Sequence, residues 1–271
     1  MKKIIFSFII PLFFSSCQDT VDIPLDNSEP KLVIDAVIKW QKGTTGENQT
    51  IKLSLTNDFY TDEITFANGA TVTVRNSSNT VFNFTEVPNT GDYVCTDFLP
   101  VINENYTLSV SYQGQNYTAT AKLLATPPIL NVQQETVPGI DGQDEIQVKF
   151  FYQDNGQEDN FYLLGVRNPK KKLPEYGAVS DEFFQGNVMF GFYASEVESG
   201  KTLKLSLQGI TNSYFNYMSK LIAISSTNSG NPFATPPATL RGNIINQTDS
   251  DNYPLGYFAL AETDTKDYLV Q

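Results

Sequence analysis

Tyr106-Thr-Leu-Ser-Val-Ser-Tyr112, Gln113-Gly-Gln115 and Asn116-Tyr-Thr-Ala-Thr-Ala-Lys122 follow one another directly. Apolar residues fall on every second position of both runs, which puts them on one face of a pleated strand, and the glycine turn folds the pair into an antiparallel hairpin. The same period recurs outward from this hairpin. Ile51-Lys-Leu-Ser-Leu-Thr56 and Ala70-Thr-Val-Thr-Val-Arg75 alternate strictly. Thr80-Val-Phe-Asn-Phe-Thr85 follows the turn signal Asn76-Ser-Ser-Asn79, Tyr93-Val-Cys-Thr96 comes next, and Leu32-Val-Ile-Asp-Ala-Val-Ile-Lys-Trp40 is a longer β-prone run. Some seven short strands within residues 31–124 is the count of a two-sheet assembly. The expected fold is therefore mainly β, with an N-terminal seven-stranded β-sandwich.

Ala125-Thr-Pro-Pro128 is the expected boundary, because two prolines stop a strand and stiffen the connection. Residues 125–271 read as a β-rich C-terminal domain with one helix. Glu145-Ile-Gln-Val-Lys-Phe-Phe-Tyr152 and Phe161-Tyr-Leu-Leu-Gly-Val-Arg167 read as a strand pair around a polar turn. Leu203-Lys-Leu-Ser-Leu207 and Gly256-Tyr-Phe-Ala-Leu-Ala261 are further strands. Tyr214, Phe215, Met218, Leu221 and Ile222 follow helical spacing, which predicts a helix over residues 213–225 capped by Asn212 or Ser213. Residues 168–188 and 226–240 read as long irregular segments. The sandwich of residues 31–124 is expected to fold by itself.

Composition narrows the function. Lys plus Arg number 18 against 30 Asp plus Glu, a formal net charge of −12. Nucleic acid is thereby excluded as a partner, since its recognition needs a basic footprint. The chain has no histidine, which removes histidine-based nucleophilic catalysis, histidine metal sites and histidine proton shuttles. The two cysteines, Cys17 and Cys95, cannot build a disulfide framework or a cysteine-rich metal site. No catalytic residue, metal ligand or cofactor is assigned.

The N-terminus reads as a targeting segment. Lys2 and Lys3 precede the apolar run Ile4-Ile-Phe-Ser-Phe-Ile-Ile-Pro-Leu-Phe-Phe14, which is too short to span a bilayer. Ser15-Ser16-Cys17 then resembles a bacterial lipobox, so residues 1–16 are expected to be a lipoprotein signal peptide. Cys17 would be the lipid-bearing mature N-terminus, and residues 17–30 a tether. Acyl chains contribute about 0.8 kcal/mol per buried methylene, enough in combination to hold a domain at a membrane. The acidic residues that follow, from Asp19 to Glu29, read either as a plain tether or as a surface-export signal. Cys95, in Asp92-Tyr-Val-Cys-Thr-Asp97, reads as an inert buried thiol.

Several clusters carry two readings each. Asp154-Asn-Gly-Gln-Glu-Asp-Asn160 gathers oxygens that calcium would need, but lacks the EF-hand order and reads first as a solvated turn. Lys170-Lys-Lys172 is either an anion-steering run or a solvated loop. The acid pairs Asp181-Glu182 and Glu196 with Glu198 would serve a glycoside hydrolase only at a defined separation. Trp40, Phe59 and Tyr60 are candidates for stacking on a carbohydrate or peptide. Long loops on a β scaffold collect binding residues, so Tyr176, Phe183, Phe184 and Phe233 are taken as the candidate contacts to a partner or ligand. Phe233 has the competing role of anchoring its own Pro-rich loop.

Gly69-Ala-Thr-Val-Thr-Val-Arg75, Gly91-Asp-Tyr93 and Asn105-Tyr-Thr-Leu-Ser-Val110 resemble the prealbumin-like, carboxypeptidase-regulatory type of immunoglobulin-like β-sandwich. Taken with Cys17, Glu29-Pro-Lys-Leu-Val-Ile34, the turn from Asp154 to Asn160-Phe-Tyr162, Asn231-Pro-Phe233, Arg241-Gly-Asn-Ile244 and Leu255-Gly-Tyr-Phe258, the ordered series resembles the Bacteroidota lipoproteins called domain of unknown function 4249. The resemblance implies a lipid-anchored outer-membrane protein, at the cell surface or the periplasmic face, working with a TonB-dependent transporter. It would be a non-enzymatic accessory or ligand-capture component. A stand-alone carbohydrate- or peptide-binding lipoprotein and a two-carboxylate hydrolase are the alternatives.

Overall fold

The computed structural model describes residues 29–57, 63–139, 142–227 and 240–271. Cys17, Phe59, Tyr60, Phe233 and the Asn231-Pro-Phe233 loop lie outside the described residues. The chain is mainly β with one described helix. The first half holds β1 (Leu32–Gln41), β2 (Gln49–Leu55), the two-residue β3 (Thr65–Phe66), β4 (Thr71–Asn76), β5 (Val81–Glu86), β6 (Asp92–Cys95), β7 (Asn105–Tyr112) and β8 (Gln115–Leu124). All seven expected runs are strands. The second half holds β9 (Ile129–Pro138), β10 (Asp144–Gln153), β11 (Phe161–Arg167), β12 (Glu175–Ser180), β13 (Val188–Tyr193), β14 (Thr202–Ile210), α1 (Asn212–Thr227), β15 (Ile245–Asn246) and β16 (Leu255–Leu269).

The first half does not close on its own strands. β16 pairs in parallel with β1 from Val33↔Leu255 to Gln41↔Thr263, and meets β8 at Leu260↔Leu123 and Ala261↔Leu124. The order β16-β1-β2-β6-β5-β4-β7-β8 thus returns to β16 as a barrel-like ring of eight strands. The ring's core includes Phe258 and Leu260 of β16 and Ile244 beside residues of β1 to β8. The seven expected strands alone would have left β1 and β8 with open edges, and an unpaired edge carries a row of unmet backbone groups. Tyr93 and Tyr106 bury their rings in this core, and their hydroxyls donate to Ala67 O and Leu99 O, both at 2.9 Å.

Past residue 263, β16 leaves β1 and continues along β14, followed outward by β11 and β12. One strand therefore serves both halves, and the sheet runs across the expected boundary. The Pro127-Pro128 connection is itself tied down. Thr126 N–H donates to Glu262 Oε2 at 2.8 Å, its hydroxyl donates to Glu262 O, and Gly209 N–H donates to Thr126 Oγ1.

The strands β10 and β11 do not pair with each other, contrary to expectation. β10 lies between β13 and β9 in a separate three-stranded sheet, while β11 joins the large sheet between β12 and β14. The reason is in Tyr162-Leu-Leu-Gly-Val166, where every residue is buried: a strand apolar on both faces belongs inside a layered stack. One face, through Leu164 and Val166, packs on Val148, Phe150 and Tyr152 of the small sheet. The other, through Leu163, meets α1 at Tyr214 and Met218. The helix is capped by Thr211, whose Oγ1 accepts from Tyr214 N–H at 3.3 Å, one residue before the expected caps. Residues 175–180, expected to be irregular, form β12 at the edge of the large sheet.

Arg241-Gly-Asn-Ile244 and Leu255-Gly-Tyr-Phe258 dock on one another. Asn243 Nδ2 donates to Phe258 O at 2.8 Å, and Phe258 N–H donates to Asn243 Oδ1 at 2.9 Å, so one side chain supplies the two bonds of a missing strand. Gly256 sits at φ +97°, where a Cβ would lie 2.1 Å from Ile34 O, so glycine alone permits β16 to start against β1. Arg241 and Lys31 place their cations over the Tyr253 ring, at 3.7 and 3.5 Å from its centroid.

Candidate functional site: a cleft along the outer face of β1

Alternation points Ile34, Ala36 and Ile38 into the ring and Asp35, Val37, Lys39 and Gln41 out of it. On the same outer side the adjoining strand β16 carries Ala259, Ala261 and Thr263, opposite Val37, Lys39 and Gln41 in register. Small side chains beside long ones leave a trough. Three adjoining depressions follow it, of about 270, 340 and 350 Å3, and Lys39 lines all of them.

One wall is aromatic. Tyr214 and Tyr217 of α1 pack on Tyr257 of β16 with ring centroids 4.8 and 4.7 Å apart. Burial, and then the charge of Asp35, push the hydroxyls of Tyr214 and Tyr217 above the usual phenol range. They stay neutral at physiological pH and offer apolar rings with a donor at the tip. Tyr176 of β12 reaches the same trough and lines two of the depressions. Its ring lies across Gly165, its cross-strand partner, where a Cβ would come within 2.9 Å of the ring. The Lys39 ammonium stands 5.8 Å from the Tyr176 centroid.

The far end of the trough is polar and cationic. Lys39, Arg167 and Lys204 line it together with Gln208, Thr263 and Tyr176, and among the described residues no carboxylate does. Arg167 and Lys204 are directly opposite each other across β11 and β14. Asp267 is the other neighbour of Lys204 in register, yet no ion pair joins any of these three cations to an acid among the described residues. Gln208 is 1% exposed and Thr263 5%. Gln208 Oε1 and Thr263 Oγ1 are buried without a hydrogen-bond partner. Buried polar atoms are nearly always paired, and these two sit opposite one another on β14 and β16.

Of the candidate contacts, Tyr176 is in the cleft. Phe183 and Phe184 are not: they follow β12 in the turn leading to β13, and Phe183 is 83% exposed. The exposed Val188, Phe190 and Phe192 of β13 come next in the chain. Trp40, one of the stacking candidates, is held by its hairpin. Its indole N–H donates to Thr44 O at 2.9 Å and its ring packs against the ring core.

The acidic and basic clusters resolve into structural pairs. Lys170 Nζ meets Glu198 Oε1 at 2.5 Å and Lys171 pairs with Glu196, so two of the three lysines and one acid pair neutralise each other. Asp154 is buried, accepting from the Tyr162 hydroxyl at 2.7 Å and from Gly186 N–H at 2.8 Å. Asp181 accepts from Asn160 N–H at 2.8 Å. Burial holds the Asp181 carboxyl above the usual range, with the charge of Asp154 adding to it. These acids pin the 154–160 loop to the 181–187 turn. Among the described residues no group of three acids or cysteines is placed to hold a metal ion. The Cys95 thiol is buried, faces Asp97 Oδ1 at 3.0 Å, and is pushed up to about 11 by burial first.

No curated protein matches the chain. Solved structures similar to it include a two-domain fibronectin type III segment of chicken tenascin, at 12% identity over 66% of this chain and 90% of that one, with a TM-score of 0.23. A cytokine receptor complex matches at 10% identity over 65% and 82%, with a TM-score of 0.25. A pullulanase from Anoxybacillus sp. LM18-11, complexed with maltotetraose, matches at 13% identity over 52% of this chain and 20% of that one, with a TM-score of 0.20. The sequence family described as domain of unknown function (DUF4249) matches residues 18–267, nearly all that follows the N-terminal segment, and the chain belongs to that family.

Proposed function

We propose that this chain is a lipid-anchored outer-membrane protein that captures a ligand in the β1 cleft and works beside a TonB-dependent transporter, without catalysing a reaction. The observation that carries this reading is the cleft itself: neutral tyrosine rings along one wall, three cations without carboxylate partners, and two buried polar atoms waiting for a partner. Apolar rings with a few convergent polar groups are the usual furniture of a binding site. Within this reading the chain is a Bacteroidota lipoprotein anchored through Cys17, and its ring is a closed variant of a prealbumin-like sandwich. Phe183 and Phe184, exposed and clear of the cleft, are the contacts to the transporter, while Tyr176 contacts ligand.

Co-purification from envelope fractions tests the reading. The tagged chain should enrich an outer-membrane transporter relative to a Cys17→Ala control. Phe183→Ser with Phe184→Ser should lose that partner at an unchanged melting temperature. If no outer-membrane protein enriches, the accessory role fails. Binding of a carbohydrate or peptide without any transporter would favour the stand-alone module.

A further inference from the structure

The polar end of the cleft has a more specific character than its tyrosine wall. Arg167 and Lys204 face each other across a strand pair, and like charges directly opposite destabilise a sheet; Asp267 flanks Lys204 on its other side without forming an ion pair. Lys39 adds a third cation to the same cavity, and no acid lines it, in a chain whose formal charge is −12. An anion between Arg167 and Lys204 would relieve that repulsion at a place where the rest of the molecule repels anions. Gln208 Oε1 adds a second requirement. It is an acceptor only, it is buried, and it has no donor. Sulfate, whose oxygens are all acceptors, would satisfy the cations and leave Gln208 as it is. A ligand that carries negative charge and hydroxyl donors together meets both requirements. Thr263 Oγ1, unpaired opposite Gln208, can donate or accept. The Tyr176 ring beside them offers an apolar plate. The cavity of about 270 Å3 lies just below the range typical of drug-sized ligands, which suits one sugar ring.

We infer that this end of the cleft binds a carboxylated sugar, a hexuronate unit whose carboxylate lies between Arg167 and Lys204, with a ring hydroxyl donating to Gln208 Oε1 and a ring face on Tyr176. The assignment rests on the capture reading and names its ligand class.

Calorimetric titration of the full chain in detergent tests it, using galacturonate and glucuronate oligomers, matching neutral oligosaccharides, inorganic sulfate and tri-glutamate as probes. One of the uronate oligomers should bind saturably, and more weakly as salt is raised. Arg167→Gln with Lys204→Gln should weaken it by more than about tenfold, the loss expected from charge-assisted hydrogen bonds, while Arg75→Gln on β4, across the ring from β1, should not. Gln208→Met should weaken binding yet leave the melting temperature of the unliganded chain unchanged or higher. A merely structural glutamine would lower that temperature. Sulfate or tri-glutamate binding as well as the uronates, or uronates binding no better than neutral sugars, overturns the inference. A neutral sugar or peptide lost on Tyr176→Ser would overturn it while leaving the capture reading standing. No probe binding, together with no transporter enriched, would end both.

Discussion

Lys42 and Glu262 meet at 2.8 Å where the two halves of the chain join, and the same Glu262 oxygen also accepts the backbone N–H of Thr126. Glu262 is buried and Lys42 half-buried. Lys42 Nζ further donates to Thr126 O at 2.8 Å, so three segments distant in sequence share one polar knot. Glu262→Gln keeps an acceptor for Thr126 and removes the charge. We expect a loss of about 1–2 kcal/mol, the scale of a hydrogen bond to a charged group, read from urea unfolding. Glu262→Leu, which strands both Lys42 and Thr126, should cost more.

Phe258 belongs to the last strand and to the core of the first half. Phe258→Ala should cost roughly 3–5 kcal/mol, the usual range for emptying a fully buried aromatic site. A fragment of residues 30–126 lacks Phe258, Leu260 and the parallel partner of β1. Its melting should be less cooperative than that of the full chain, and a differential scanning trace as sharp as the full chain's would contradict the ring.

Asp181 is held above the normal carboxylate range, so the folded chain binds a proton more tightly there than the unfolded chain does. Its charged form is thus a cost of folding, absent in acid and incurred as pH rises past the unfolded value. Asp181→Asn keeps an oxygen for Asn160 N–H and removes that cost. The variant should melt at or above the parent at neutral pH, with the gap closing below the carboxylate range. A lower melting temperature at neutral pH would give Asp181 a different role.

The Cys95 thiol, with its pKa pushed up to about 11, is protonated at neutral pH, and thiolate is the reactive form. In a full-length Cys17→Ala chain, native labelling by a thiol reagent should be slow and should rise to a free-thiol rate only in denaturant.

The strands of the first half are legible because each buries one face and so writes a period of two into its own residues. Ring closure is not. β1 and β16 lie at opposite ends of the described chain and pair in parallel, which leaves no turn between them to read. β9 was hidden behind Pro127-Pro128 and by Gln133, Gln134 and Glu135, polar on both faces at the rim of a small sheet. The nearness of β10 and β11 in sequence suggests a pairing that the sheet order contradicts, although Leu163 and Leu164, apolar in succession, mark a strand covered on both sides. In the cleft, Tyr176 was found as an aromatic in a segment expected to be loop. Gln208 and Thr263 carry no signal of their own, since a polar residue on an alternating strand looks the same facing solvent or facing a cavity.

Closure of the ring by β16 sets an order on synthesis. The strands β1 and β8 emerge from the ribosome long before the residues that will lie between them, and Ile34 must wait for Gly256. Until then the first half exists with two bare edges and a core lacking one wall. Any chain cut short ahead of Leu255, by a premature stop or by a protease, keeps those edges permanently. Exposed β edges template sticking to other chains. Closure of the ring therefore depends on a chain that extends through β16.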